Sequence, residues 1–231
     1  MAARPLFVPR HHGPHLVDEV VVRFTWHPGF APVQKKRNVE ELHAAASKEG
    51  LRQVLEVSTK SAEKLGVRLS AFNLKVELPD GRHVPLEAAY QGSKVFENGG
   101  PYTDLYALPA RDAKQDPRLR SSGKLVGFRF GDTDWRLEPK TAFYDWLYLS
   151  ALTAHAEYLR RLFKYDAFSD IEFNPERSVN TQAHSCALLV SLLKKNLFPK
   201  AVYDLDLFLS ILRRESAAQP RSEEVRQSQL W

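Results

Sequence analysis

Strand-like apolar runs separated by turn residues fill the first half of the chain, and helical spacing of apolar residues takes over in the second. Residues 20–26 (VVVRFTW) are rich in β-branched and aromatic side chains, which fit a pleated strand, and His27-Pro28-Gly29 breaks it. Asn38 is placed as a helix N-cap with Glu41 at the capping-box position, and the helix through HAAASKEG stops at Gly50. Residues 53–57 read as a strand ending at Ser58-Thr59-Lys60. Residues 74–78 and 83–85 read as a hairpin around Pro79-Asp80-Gly81. Leu86, Ala89, Tyr90 and Val95 give residues 86–96 a helical spacing that Gly99-Gly100-Pro101 ends. Residues 109–123 are charged and read as surface chain, and 124–130 as another strand. A long helical pattern runs from Thr141 towards Phe163, with Phe143, Trp146, Leu147, Ala151 and Leu152 on one face. Two further helices fit residues 181–195 and 200–213.

The ends read differently. Residues 1–16 hold three prolines and three histidines and predict an irregular arm. From Glu215 the chain is polar, charged and Pro-containing, which predicts a disordered tail over 215–231. With no internal repeat or low-complexity linker, the expectation is one mixed α+β domain over residues 17–214, helix-rich in its C-terminal half.

Composition narrows the function classes. A chain of 231 residues with 43% hydrophobic and 26% charged residues buries a core without staples. No apolar run approaches the ~20 residues of a membrane span, and the N-terminus lacks the apolar stretch of a secretory signal, so neither membrane nor export is expected. Cys186 stands alone, which excludes an intramolecular disulfide and a Cys-rich metal site and favours the cytoplasm. A net charge of +5 permits a nucleic-acid or phosphate-rich partner without requiring one.

The chemistry gathers around Glu87. It falls in the first turn of its helix with Gln91 one turn further on the same face, and Lys94 lies three positions beyond Gln91. A carboxylate, an amide and an ammonium on neighbouring faces suit the binding and protonation of a polar ligand. A first-turn Glu also simply complements the helix dipole. Gly99 and Gly100 permit close backbone approach by a ligand, or end the helix and turn. Lys35, Lys36 and Arg37 precede the N-terminus expected at Asn38, where an anion is favoured, or form a solvated basic turn. Asp166, Asp170, Glu172 and Asn174 cluster in KYDAFSDIEFNPE. Asp170 and Asn174 are kept as ligand candidates, and no metal is expected.

The run LSAFN (69–73), the short hairpin and then EAAYQGSK (87–94) resemble the signature of NADAR (YbiA-like) domains. GSKVFENGGPY, TAFYDWLY and FNPERSVN are most similar to the subgroup encoded beside DarT-type ADP-ribosyltransferase toxins that modify guanine. The resemblance covers residues 20–212 and is strongest over 69–106 and 135–185. It implies an ADP-ribose glycosidase, without cofactor, that removes ADP-ribose from guanine in nucleic acid and serves as an antitoxin in phage defence. The implied partners are ADP-ribosylated DNA or nucleoside, free ADP-ribose and a cognate DarT-type toxin. It puts the catalytic glutamate on Glu87, with Gln91 and Lys94 at motif positions beside it; Asn73, Asn98, Gly99 and Gly100 are further ligand-binding candidates, and Lys36 and Arg37, ahead of the expected helix, are candidate diphosphate donors. Tyr102, after Gly-Gly-Pro, and Tyr144 are candidates to stack on a base, as are Trp135 and Trp146, either of which would stand for the family's mid-chain tryptophan. The Trp-Gly-Gly-rich segment of shorter members is absent, and residues 174–180 stand in its place. A non-catalytic ADP-ribose or nucleotide sensor is the alternative, although a binder has no need of the Glu87 carboxylate. A simple nucleic-acid binder is a third reading and lacks a groove-reading motif.

Overall fold

The computed structural model describes residues 1–29, 31–176 and 178–218. The chain opens with the hairpin β1 (Ala2–Pro9) and β2 (Val17–Phe24), then α1 (Pro32–Lys48), β3 (Val54–Glu56) and α2 (Lys64–Arg68). A second hairpin, β4 (Lys75–Glu77) and β5 (His83–Pro85), leads directly into α3 (Leu86–Gly92) and β6 (Lys94–Phe96). Next come α4 (Ala110–Gln115), α5 (Arg118–Ser121), β7 (Leu125–Phe130) and β8 (Thr133–Trp135). The second half holds α6 (Ala142–Leu152), α7 (Ala156–Leu162), β9 (Ala167–Ser169), α8 (Gln182–Lys194), α9 (Lys200–Tyr203) and α10 (Leu205–Ala218). This is the mixed α+β architecture that the pattern predicts. Among the described residues no helix is long and apolar enough to cross a membrane.

Among the described residues the strands form three sheets, ordered β2-β1-β9-β3, β4-β5 and β6-β7-β8. In the first, β1 runs antiparallel to β2 and β9, and β3 runs parallel to β9. The two-residue period of β1 splits its side chains between two layers. Leu6 joins Val22 and Phe24 against Val39, Leu42 and Ala46 of α1, whereas Phe7 enters the main core with α6 and α8. The sheet is thus covered by helices on both faces.

Several expectations are corrected. Residues 1–16 are not an irregular arm, because Ala2 to Pro9 pair in register with Val17 to Phe24. Pro5 and Pro9 cannot donate to a ladder. However, β9 meets β1 only at Phe7, and burying Leu6 and Phe7 is worth about 1.5–3 kcal/mol each. Helix α1 starts with Pro32 in its first turn, so Lys35, Lys36 and Arg37 lie inside it rather than ahead of it. Asn38 is buried and uses both ends of its amide on the His27 backbone, accepting at 2.7 Å and donating at 2.9 Å. It fixes the turn after β2 instead of capping a helix.

The helix from Leu86 ends at Gly92, and Lys94 begins a strand paired with Phe128. Residues 109–123 carry two short helices. The long pattern from Thr141 breaks at Thr153-Ala154-His155 into α6 and α7. The pattern over 200–213 breaks at Asp204, whose Oδ1 accepts from the Leu207 N–H and starts α10. Glu215, assigned to a disordered tail, lies in α10, is buried, and accepts from the Val17 N–H at 3.1 Å. The remainder of that tail, 219–231, lies outside the described residues.

Candidate active site

The second hairpin delivers α3 to the site. Its first amides are already used, since Leu86 N donates to Leu74 O (2.8 Å) and Glu87 N donates to Ala71 O (3.0 Å). Leu86, Ala88 and Ala89 are fully buried, and this anchoring carries Glu87 and Gln91 inward with them. Glu87 is only 5% exposed. Gln91 Nε2, one turn on, donates to Glu87 Oε1 at 3.0 Å, and Lys114 Nζ from α4 lies 3.4 Å from the same oxygen. Gln91 Oε1 is buried without a partner. Lys94 holds its ammonium 5.0 Å from the centre of the Tyr90 ring. Burial drives the Lys94 pKa down, Glu87 pulls it up and Lys114 pushes it down again, leaving it at about 8.

The facing wall comes from the segment joining β9 to α8. Asp170 accepts from Thr181 Oγ1 and from the Glu172 N–H, each at 3.1 Å. Burial, and then the neighbouring Glu56 carboxylate, hold the Asp170 carboxyl well above the usual range. Glu56 itself lies behind the wall and accepts from Ser58 Oγ (2.6 Å), Ser169 Oγ (2.6 Å) and Ile171 N (2.9 Å). Asn180 Nδ2 donates to Tyr90 Oη at 2.7 Å, while Asn180 Oδ1 is buried without a partner. The Tyr144 ring meets Tyr90 edge-on at 5.1 Å.

These walls enclose a cavity of about 1250 Å³, lined among others by Phe72, Glu87, Tyr90, Gln91, Lys94, Lys114, Phe128, Tyr144, Asp170, Asn174 and Asn180. One end offers a carboxylate beside an amide and two ammonium groups, and the wall beside it is aromatic. Leaving a buried acceptor unsatisfied costs about 1–3 kcal/mol, and two amide oxygens here, on Gln91 and Asn180, bear that cost.

Of the residues given catalytic or ligand-binding roles from sequence, Glu87, Gln91, Lys94, Tyr144, Asp170 and Asn174 line this cavity, as does Glu172 of the acidic cluster. The others do not. Asn73 donates to Val67 O and lines a separate cavity of about 380 Å³ with Arg68, His83 and Tyr158. Asn98, Gly99 and Gly100 form the turn after β6, where Asn98 N donates to Ser122 O and Phe96 N donates to Gly99 O. The two glycines are needed by the chain itself. A Cβ on Gly99 would sit 2.2 Å from Tyr102 Oη, and one on Gly100, at φ +85°, would sit 2.3 Å from Lys94 O. Tyr102 is held by Ser122 Oγ, with the Arg118 guanidinium 4.5 Å from its ring centre. Lys36 and Arg37 are exposed on α1. Trp135 is buried against Phe143 and Trp146, and Trp146 Nε1 donates to Val202 O.

Lys114 and Asn180 were missed from sequence. Lys114 sits in a charged stretch whose short helix, ARDAKQ after Pro109, was the one local hint. Asn180 had only its place just ahead of the Thr181 cap to mark it.

A family model described as NADAR-DarT1, DarT1-associated NADAR antitoxin, matches residues 2–222. No curated protein matches the chain.

Proposed function

Since the chain belongs to the DarT1-associated NADAR antitoxin family, we propose that it is an N-glycosidase that hydrolyses the bond between ADP-ribose and a guanine base in nucleic acid, undoing a DarT-type modification. The observation that carries this reading is Glu87, a carboxylate buried in protein yet lining the large cavity. Breaking a ribose C1–N bond builds positive charge on the sugar, and a fixed carboxylate stabilises that charge. Gln91 and Lys114 both engage Oε1, and no described residue holds Oε2, which leaves that oxygen for the ribose or the attacking water. Water then bonds to the anomeric carbon and gives a proton to Glu87. The electron pair of the cleaved bond leaves with guanine, which takes up one proton from solvent, and Glu87 returns the water proton to solvent, so that one water is consumed in all. Lys94 and Lys114 supply cations for the diphosphate, and the Tyr90–Tyr144–Phe128 wall suits a base. An antitoxin of this kind works by repairing the modified base and needs no contact with the toxin.

The test is release of ADP-ribose from a guanine-ADP-ribosylated oligonucleotide. Binding of ADP-ribose without release would favour the sensor reading, and neither would overturn the assignment of the site. Lys94 adds a pH signature. Its ammonium is present below about 8 and lost above it, so ADP-ribose affinity is expected to fall as pH rises through that value. Losing one charge-assisted bond amounts to about tenfold or more in affinity, read by calorimetry at pH 6.5 and 9.5. Lys94→Met should flatten that profile.

A further inference from the structure

Glu172 lies on the cavity rim and is shared by two cations, with Lys35 Nζ of α1 and Lys60 Nζ each 4.0 Å from its Oε1. One carboxylate cannot neutralise two ammonium groups. Lys35 also stands 5.9 Å from the ring centre of Trp26, and the Arg4 guanidinium stands 5.5 Å from the same ring. Arg4 donates to Ala3 O through Nη1, while its Nε is buried without a partner. The position of Arg4 is fixed by Trp26, which links it through Lys35 to Glu172. A part-buried indole with two cations beside it is therefore joined to the cavity lining through Lys35 and Glu172.

We infer that this strip is the docking surface for the single-stranded DNA flanking the modified guanine. Lys35, Lys60 and Arg4 would take backbone phosphates, and a neighbouring base would stack on Trp26. The inference rests on the glycosidase reading for its substrate. Its own support is charge complementarity together with the aromatic platform, the pairing that single-strand binders use. A base acted on inside a buried cavity must leave its duplex stack, so a strand already single enters at least cost. A protein partner would call for a contiguous apolar centre. Here the aromatic is one indole with two cations within 6 Å of its ring centre.

The experiment compares Lys35→Glu/Lys60→Glu with wild type on two substrates, ADP-ribosylated guanosine and an ADP-ribosylated single-stranded oligonucleotide. The double variant should raise KM for the oligonucleotide by about tenfold or more and make its dependence on log salt shallower by about one to two. Turnover of the nucleoside should stay at the wild-type level, which also shows that the variant is folded. In parallel, fluorescence anisotropy of an unmodified single-stranded oligonucleotide should show salt-sensitive binding to wild type and weaker binding to the variant. That readout needs no turnover, so it stands even if the glycosidase reading fails. Unchanged KM and salt slope on the oligonucleotide, or unchanged anisotropy, would overturn the inference. If nucleoside turnover falls as well, Lys35→Gln/Lys60→Gln takes its place, and an unchanged oligonucleotide-to-nucleoside KM ratio in that variant would overturn it too.

Discussion

Glu87→Gln is expected to slow ADP-ribose release from a guanine-modified oligonucleotide by about 10²–10⁴-fold while ADP-ribose still binds. The substitution keeps the shape of the side chain, and its amide oxygen can still accept from Gln91 Nε2, the bond now made at 3.0 Å. What disappears is the negative charge that stabilises an oxocarbenium-like sugar and the group that takes the water proton. Because Glu87 holds the Lys94 pKa up against burial, its loss should also move the Lys94 titration below about 8. The variant therefore carries two readouts, a rate that collapses and a binding profile that shifts to lower pH. Wild-type release by the variant would remove Glu87 from the chemistry. Tight ADP-ribose binding with no release by either protein would support a sensor.

How much of this was legible in the sequence follows from the range of the interactions. The Glu87–Gln91 pair is an i, i+4 contact within one helix, and the β4–β5 hairpin is fixed by Pro79-Asp80-Gly81, so both could be read locally. The resemblance to NADAR domains rested on that same local motif. Lys114 reaches Glu87 from a helix 27 residues downstream, and periodicity carries no signal for such a contact. β1 looked irregular because of its prolines, and its place in the sheet depends on Phe168, far along the chain. Asn38 has good N-cap chemistry, but a buried pair of hydrogen bonds to His27 claimed its amide. Gly99 and Gly100 were read as admitting a ligand to the backbone or as a turn, and the structure has them in a turn. The approaching atoms belong to Tyr102 and Lys94 rather than to a ligand, a distinction only the tertiary structure draws.

Phe143→Ala is expected to cost about 3–5 kcal/mol of stability, read as a lowered urea midpoint with an unchanged slope. The ring is 1% exposed and stands at the junction of α6 with the β6-β7-β8 sheet. Its centroid lies 4.7 Å from Phe128, 5.4 Å from Trp135, 6.1 Å from Tyr90 and 6.3 Å from Phe130. Truncation to Ala removes the transfer energy of the ring and leaves a void among aromatic neighbours that other rings already hold in place, so little of it can collapse. Phe143→Leu should recover part of the loss. Phe128 and Tyr90 also line the cavity that holds Glu87, so the damage should reach function as a raised KM at temperatures where the variant is still folded. Glu87→Gln should do the reverse, sparing the urea midpoint and slowing turnover by the 10²–10⁴-fold expected above. A midpoint shift below about 1 kcal/mol for Phe143→Ala would mean that the ring cluster can repack, and that the aromatic wall of the cavity is held by other contacts.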